Sequence, residues 1–173
     1  MRLFIVTGIS GSGKTTVTRR LLELGYTALD SKLNQGLFYF VDENGSVPAS
    51  NHPNDPSWKA RHRWVIDQNR FDELTRNIAF SQCVFLCGGG DSLKALWSQA
   101  EKVFLLKVDA NTLIRRLNNT SRDNQFARND KTQQILLNRL DKFQANQLTA
   151  GAVPINATKP LNEVVNKILE KTA

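Results

Sequence analysis

Apolar residues along the chain come in short blocks whose spacing keeps switching period. Leu3 to Thr7 is a compact apolar run with β-branched residues and predicts a strand. Thr15 to Leu24 places Val17, Leu21 and Leu24 at helical spacing and stops at Gly25, so it predicts a helix. Tyr26 to Leu29 reads as a second strand ending at Asp30. Cys83 to Cys87 reads as a third, a continuous apolar run expected where a strand is covered on both faces. Val103 to Val108 and Ala152 to Ile155 supply a fourth and a fifth. Helical patterning lies between them, over about 57–80, 91–100, 110–118 and 131–149. The last helix, Leu161 to Glu170, follows Pro160 and carries Leu161, Val164, Val165, Ile168 and Leu169 on one face.

This βαβα alternation predicts an α/β fold, a three-layer α/β/α arrangement with a five-stranded parallel sheet between helices. Two segments interrupt the rhythm. Residues 36–57 hold an Asn44-Gly45 turn inside an aromatic-rich run and then several prolines, which suggests a small hairpin followed by a loop. Residues 118–132 are polar, basic and poor in apolar side chains. The expected organisation is one domain over 1–173, with an insertion at 36–80 that binds a substrate and a lid at 111–132.

Composition narrows this little. A chain of 173 residues, 40% of them apolar, has enough material for one core. The formal net charge of +7 suits anionic partners such as phosphates, nucleotides or nucleic acid, and the basic residues are spread rather than gathered in a tail. Two cysteines, both in the Cys83 to Cys87 run, are too few for a disulfide framework and point to a reducing compartment. The opening "MRLFIVTG" is too short for a leader, and no apolar run approaches membrane-spanning length. A cytoplasmic protein without membrane contact, monomeric or homodimeric, is expected.

The chemistry begins at the first strand-to-helix junction. Gly8-Ile9-Ser10-Gly11-Ser12-Gly13-Lys14-Thr15 fits G-x-x-x-x-G-K-[ST] in the context that motif requires. Its glycines let successive backbone N–H groups turn toward phosphate oxygens, and the helix behind adds the positive end of its dipole. Gly8, Ser10, Gly11, Ser12, Gly13, Lys14, Thr15 and Thr16 are therefore expected to bind a nucleotide, with Lys14 on the β- and γ-phosphates and the Thr15 hydroxyl on Mg²⁺. The guanine-reading N-K-x-D pattern is missing: Asn166-Lys167 is followed by Ile168 and Leu169 on an amphipathic helix, which favours ATP.

Other residues have two readings each. Asp30, at the carboxyl end of a strand, could take a proton from an attacking hydroxyl or hold Mg²⁺ through water; it could also simply form the turn that follows. Gly88, Gly89 and Gly90 allow close approach to a substrate, while Asp91 reads first as a helix cap. Arg122, then Arg128 and Arg116, are candidates to stabilise charge on a transferring phosphoryl group, with Arg115 on a solvated face. "WKARHRWVIDQNR", Trp58 to Arg70, interleaves aromatic rings with positive charge. Arg61 and Trp64 there would grip a substrate, or the same pattern would be an amphipathic helix burying Trp58 and Trp64. His52 and His62 have no metal-ligand spacing with a partner. Cys83 and Cys87 read as core.

Together, "GISGSGKTT", Asp30, "CGGG", the arginine-bearing segment and "INATKP" give a chain that resembles the small P-loop kinases of the adenylate kinase and shikimate kinase group, nucleoside and nucleotide kinases among them. The resemblance spans nearly the whole length. It implies a sheet of order 2-3-1-4-5, use of ATP and Mg²⁺, and a loop after the fifth strand lying against the adenine, here Ala157, Thr158, Lys159 and Pro160. It departs from shikimate kinases at Ser31-Lys32, where they carry a second aspartate, and it lacks the AMP-reading segment of adenylate kinases. The expected activity is phosphoryl transfer from ATP to a small-molecule acceptor, a nucleoside, nucleotide or hydroxylated metabolite. Lys32 in place of an acid hints at an acceptor with a negative group. The alternatives are a kinase acting on polynucleotide 5′ ends and a regulator that only binds ATP.

Overall fold

The computed structural model describes residues 1–89, 92–119 and 130–172. Among these residues seven strands fall into two sheets. The main sheet holds β1 (Arg2–Thr7), β2 (Thr27–Asp30), β5 (Cys83–Cys87), β6 (Lys102–Lys107) and β7 (Val153–Asn156). All its pairings are parallel, and the strands lie side by side as β2-β5-β1-β6-β7. This labelling departs from a five-strand count because two further strands intervene in the chain. Counting only the five, the order is 2-3-1-4-5.

The alternating pleat explains the three layers. Phe4, Val6, Phe85, Cys87, Phe104 and Leu106 point to one face, where they meet Val17 and Leu21 of α1 (Lys14–Glu23) and Val164, Val165 and Ile168 of α7 (Leu161–Glu170). Leu113 and Leu117 of α5 (Ala110–Leu117) and Leu136 and Leu140 of α6 (Asp130–Thr149) join the same cluster. The intervening residues Leu3, Ile5, Val84, Leu86, Val103 and Leu105 point the other way, onto Leu37, Phe71, Leu93 and Leu96. Residues i and i+2 share a face, so a continuous apolar run is what a doubly covered strand needs.

The segment 57–80 corrects the helical expectation. It is a short helix α2 (Pro56–Ala60), a strand β4 (Arg63–Ile66) and a second helix α3 (Gln68–Thr75). Asp55 accepts from the Ser57 and Trp58 N–H groups and Asp67 from that of Arg70, so each helix has its own cap and the chain is extended between them. The aromatic and β-branched "RWVI" suits a pleated edge. The hairpin expectation is corrected in its partner: β3 (Phe38–Val41) pairs antiparallel with β4, about twenty residues on, not with the arm after Asn44-Gly45. The turn exists, closed by Asp42, whose Oδ1 accepts from the Asn44 and Ser46 N–H groups. Its return arm runs into Pro48, which has no N–H to give a ladder. The expected helix over 91–100 is a single turn, α4 (Ser92–Ala95), followed by a 3₁₀ turn at Trp97–Gln99. Gly90 and Asp91 lie outside the described residues, as do 120–129, the middle of the expected lid.

Phe85 is the pivot of one core face: it is fully buried, stacked 5.5 Å from Phe4 and edge-on to Tyr26 at 5.7 Å. Phe85→Ala should cost about 3–5 kcal/mol, a large share of a typical domain's 5–15 kcal/mol. Urea unfolding checks this through the transition midpoint.

Candidate active site

Residues 8–13 join β1 to α1. Gly11 and Gly13 hold φ of 89° and 107°, a backbone that residues with a Cβ rarely adopt. Gly13 is also the N-cap of α1, and no side chain caps that helix. By contrast, Asp55, Asp67 and Asp109 cap α2, α3 and α5. A helix start left to backbone N–H groups at the positive end of its dipole favours an anion. Ser12 adds an independent sign: it is 1% exposed and its Oγ has no hydrogen-bond partner. A buried hydroxyl in that condition costs about 1–3 kcal/mol, which an oxygen-rich ligand in the loop would offset. Lys14 Nζ donates to the carbonyls of Gly8 (2.6 Å) and Ile9 (3.1 Å), which places its ammonium over the loop. Thr15 is half-buried beside it.

Arg116 on α5 ties this loop to the end of the sheet. One guanidinium nitrogen donates to the Ser12 carbonyl (2.8 Å) and another to the Ala157 carbonyl (2.6 Å), just past β7. Partial burial and the neighbouring Arg115 push its pKa below the usual arginine range, and Asp109 opposes that. The sequence reading assigned Arg116 to a transferring phosphoryl group. Here its fork serves two backbone carbonyls and so braces the phosphate loop against the loop that follows β7. In that second loop Asn156 Oδ1 accepts from the Thr158 N–H (3.1 Å) and hydroxyl (2.7 Å).

Asp30 ends β2 and is 2% exposed. Its Oδ1 accepts from the Lys32 and Leu33 N–H groups, each at 2.8 Å, so it forms the turn after the strand and presents its carboxylate to the same space. The turn-forming reading of this residue is the one the hydrogen bonds show, and its position also borders the cleft. The glycines after β5 divide. A Cβ on Gly88 would come within 2.8 Å of Phe38 and 2.9 Å of Leu93, so the β3–β4 hairpin packs where a side chain would stand. Gly89 is unobstructed and borders the space in front of the P-loop. Beyond Phe38 the hairpin is an aromatic ledge: Phe40 lies 4.5 Å from Trp64, and Trp58 stacks on His62 at 3.9 Å. Trp58 is buried in that ledge, while Trp64 is half-buried and faces the cleft.

These parts enclose one cleft of about 1580 Å³ at the carboxyl ends of the strands. A single small-molecule pocket takes roughly 300–1,000 Å³, so there is room for two ligands side by side. Its charge is one-sided. Lys14, Arg116 and Lys159 line it around the P-loop, Lys32, Lys59, Arg63 and Lys94 around the hairpin, and Arg19, Arg139 and Lys142 along helices, while Asp30 is the sole acidic side chain among the described lining residues. Desolvation and, less, the Arg139 guanidinium push the Lys59 ammonium below its usual range. Arg63, Lys59 and Arg139 were missed by the sequence reading. Arg61, which it chose, is exposed, donates to the Ser57 carbonyl at 3.4 Å and does not line the cleft. Thr158 and Pro160 also fall outside the lining, whereas Ala157 and Lys159 belong to it. Thr16, Ser10 and Gly8 line it as well. Gly90, Arg122 and Arg128 lie outside the described residues. Cys87 is buried and its thiol pushed up to about 12, mainly by loss of solvent, which removes it from any nucleophilic role. No helix among the described residues is long and apolar enough to cross a membrane.

The family model described as AAA domain matches residues 5–136, most of the chain, and the chain belongs to that family. No curated protein matches its sequence. Among solved structures, the chain is similar to shikimate kinase from Bacteroides thetaiotaomicron at 19% identity and a TM-score of 0.60, covering 99% of this chain and 98% of that one. It is similar to deoxyadenosine kinase from M. mycoides with bound dATP at 12% identity and a TM-score of 0.59, covering 99% of each. A gluconokinase from Sinorhizobium meliloti 1021 matches at 17% identity and a TM-score of 0.52, over 98% and 90%. The fold is that of the P-loop small-molecule kinases.

Arg116→Ala leaves two carbonyls without their charged donor and should cost about 1–3 kcal/mol. Arg116→Lys should recover little of it, because one ammonium does not reproduce a fork that spans two carbonyls. Denaturant midpoints of both variants check this; full recovery by lysine would contradict the bracing role.

Proposed function

We propose that the cleft transfers the γ-phosphoryl group of ATP to a small-molecule acceptor. The observation that carries this reading is the junction of β1 and α1: an uncapped helix start, a buried Ser12 hydroxyl without a partner, and Lys14 beside both, opening into a cleft large enough for donor and acceptor. The likeness to kinase structures supports the same class of reaction.

In this reading residues Gly8 to Thr16 cradle the β- and γ-phosphates, and Lys14 shifts from the Gly8 and Ile9 carbonyls to phosphate oxygens. Ala157 and Lys159, held in place by Arg116, border the base. An acceptor hydroxyl or phosphate oxygen lies between Asp30, Gly89 and the aromatic ledge. Its oxygen attacks the γ-phosphorus, the bond from that phosphorus to the β–γ bridging oxygen breaks, ADP leaves, and the acceptor proton passes toward the Asp30 carboxylate. The catalytic contributions are alignment and electrostatic stabilisation, which a water-poor cleft strengthens.

Mg²⁺ fits this site. The ion is ordinarily bound by substrate phosphates with one or two protein oxygens rather than by a cage, and no cage of His, Cys, Asp and Glu exists among the described residues. The Thr15 hydroxyl would hold it, with Asp30 reaching it through water, and when bound it screens charge on the β- and γ-phosphates. Arg122 and Arg128 would complete the neutralisation from the lid. The acceptor class at this level is a nucleoside, nucleotide or hydroxylated metabolite.

Lys14→Ala should lower turnover about a hundredfold or more with the fold intact, measured as ADP release with far-ultraviolet circular dichroism as the folding control. Turnover that survived the change would sink the P-loop assignment. Asp30→Asn keeps an oxygen to accept from Lys32 and Leu33 and removes the charge. It should reduce transfer about 10²–10⁴-fold while ATP affinity, measured by calorimetry, stays within about threefold. Equal losses in both would refute a proton-accepting role.

A further inference from the structure

On the β3–β4 ribbon the register pairs Phe38 with Ile66 and Phe40 with Trp64, so these four side chains share one face. The inner pair belongs to the core: Phe38 is buried, and Ile66 packs against the same cluster. The outer pair, Phe40 and Trp64, is half-buried and lines the cleft. The indole of Trp64 is held in one orientation. It lies 6.0 Å from the Phe38 ring with 8° between the planes, and Phe40 tilts against it at 4.5 Å. Two consecutive glycines fix this wall relative to the P-loop: a Cβ on Gly88 would meet the Phe38 ring at 2.8 Å, and one on Gly89 would meet the Gly8 carbonyl at 3.9 Å. The strand order places the hairpin on the β5 side of β1, whereas the loop that borders the base of ATP in the phosphoryl-transfer reading is on the β7 side. The rings are therefore surplus to the donor.

Aromatic faces bind cations or stack on planar rings. The charge of the lining disfavours a cation, since Asp30 is the single acid among its described residues. A polyol is a poor match as well. Among the described side chains that the insertion gives to the lining, only Asn54 and His62 can accept a hydrogen bond, and His62 already uses Nδ1 on the Trp58 carbonyl at 2.6 Å. Arg63, next to Trp64 on β4, only donates. A nucleobase supplies what this wall lacks: a flat face for the indole, and edge oxygens and nitrogens that accept. Resting on the phosphoryl-transfer reading, we propose that the acceptor is a nucleoside or a nucleoside monophosphate, and that Trp64 selects it by stacking on the base with Phe40 alongside. A sugar hydroxyl or phosphate oxygen of that acceptor bonds to the γ-phosphorus, ADP leaves, and any acceptor proton passes toward Asp30. The products are a nucleoside monophosphate or diphosphate and ADP.

The test measures acceptor-dependent ADP release by the full chain at fixed ATP and Mg²⁺. The panel holds purine and pyrimidine ribo- and deoxyribonucleosides, their 5′-monophosphates, and the base-free ribose, deoxyribose, ribose 5-phosphate and gluconate. At least one base-bearing member should exceed its base-free counterpart by about a hundredfold or more in kcat/KM. For that acceptor Trp64→Leu, which keeps apolar bulk and removes the π face, should raise KM at least tenfold, while Trp64→Phe stays within about threefold. Calorimetry with a non-hydrolysable ATP analogue should give affinities within about twofold of wild type for both variants. A residue that only packs the hairpin would not separate leucine from phenylalanine in acceptor KM at constant analogue affinity. Base-free members used as well as base-bearing ones, no base-bearing member used at all, or equal KM for the two variants each overturn the inference, and with the analogue bound they leave the transfer reading standing. Failure of the analogue to bind the wild-type protein overturns both.

Discussion

The arrangement depends on one constraint, a helix whose first turn has no side-chain cap. The positive end of α1 stands at the carboxyl edge of β1 with glycine where Ser or Asp would ordinarily accept its N–H groups. The surroundings conform to it. β1 lies at the centre of the sheet, paired on both sides, so the loop rises from a strand fixed by two neighbours. Arg116 locks the far side of the loop to the end of β7 and accepts a lowered pKa to do so. Ser12 is left buried with an unused hydroxyl. A fold optimised for stability alone would cap the helix and satisfy the serine. Keeping both unsatisfied is a cost of about a few kcal/mol that a phosphate ligand offsets.

The other half of the cleft is built by a different means. It rests on a two-stranded hairpin whose stability comes from stacked aromatics and from Phe38 packed over Gly88. That contact couples the glycine turn after β5 to the wall of the acceptor side: a side chain at position 88 would displace the hairpin before it touched any ligand. The one-sided charge of the lining then sets the character of what enters. Lysines and arginines drawn from well-separated stretches of chain converge on one space with a single carboxylate among the described lining residues, which makes the cleft an attractor for multiply charged anions.

How much of this was legible in the sequence follows from the range of the interactions. The parallel sheet was readable because its three central strands are continuous apolar runs flanked by helices with their own periodicity, and the P-loop because its glycines, lysine and threonine act within nine residues of one another. β4 was hidden because "RWVI" sits between two helical turns in a segment whose helical spacing continues through it; Asp55 and Asp67, capping separately, were the available signal. The pairing of β3 with β4 spans about twenty residues and is decided by Phe40 meeting Trp64, which no local pattern encodes. The preference for Arg61 over Arg63 shows the same limit: on the assumed helix both point somewhere useful, whereas on the actual cap and strand only Arg63 lines the cleft. Arg116 looked like phosphate chemistry because arginines near a P-loop usually are, and its two carbonyl partners lie 104 and 41 residues away.

The central claim is that the γ-phosphoryl group moves to an acceptor rather than to water. Phosphorus-31 NMR of ATP, Mg²⁺ and the enzyme with a nucleoside or nucleotide acceptor follows that atom directly. The account predicts that the γ resonance disappears into a new phosphate ester or anhydride signal while ADP accumulates, with little inorganic phosphate. ADP accompanied by inorganic phosphate alone, whichever acceptor is supplied, would contradict it.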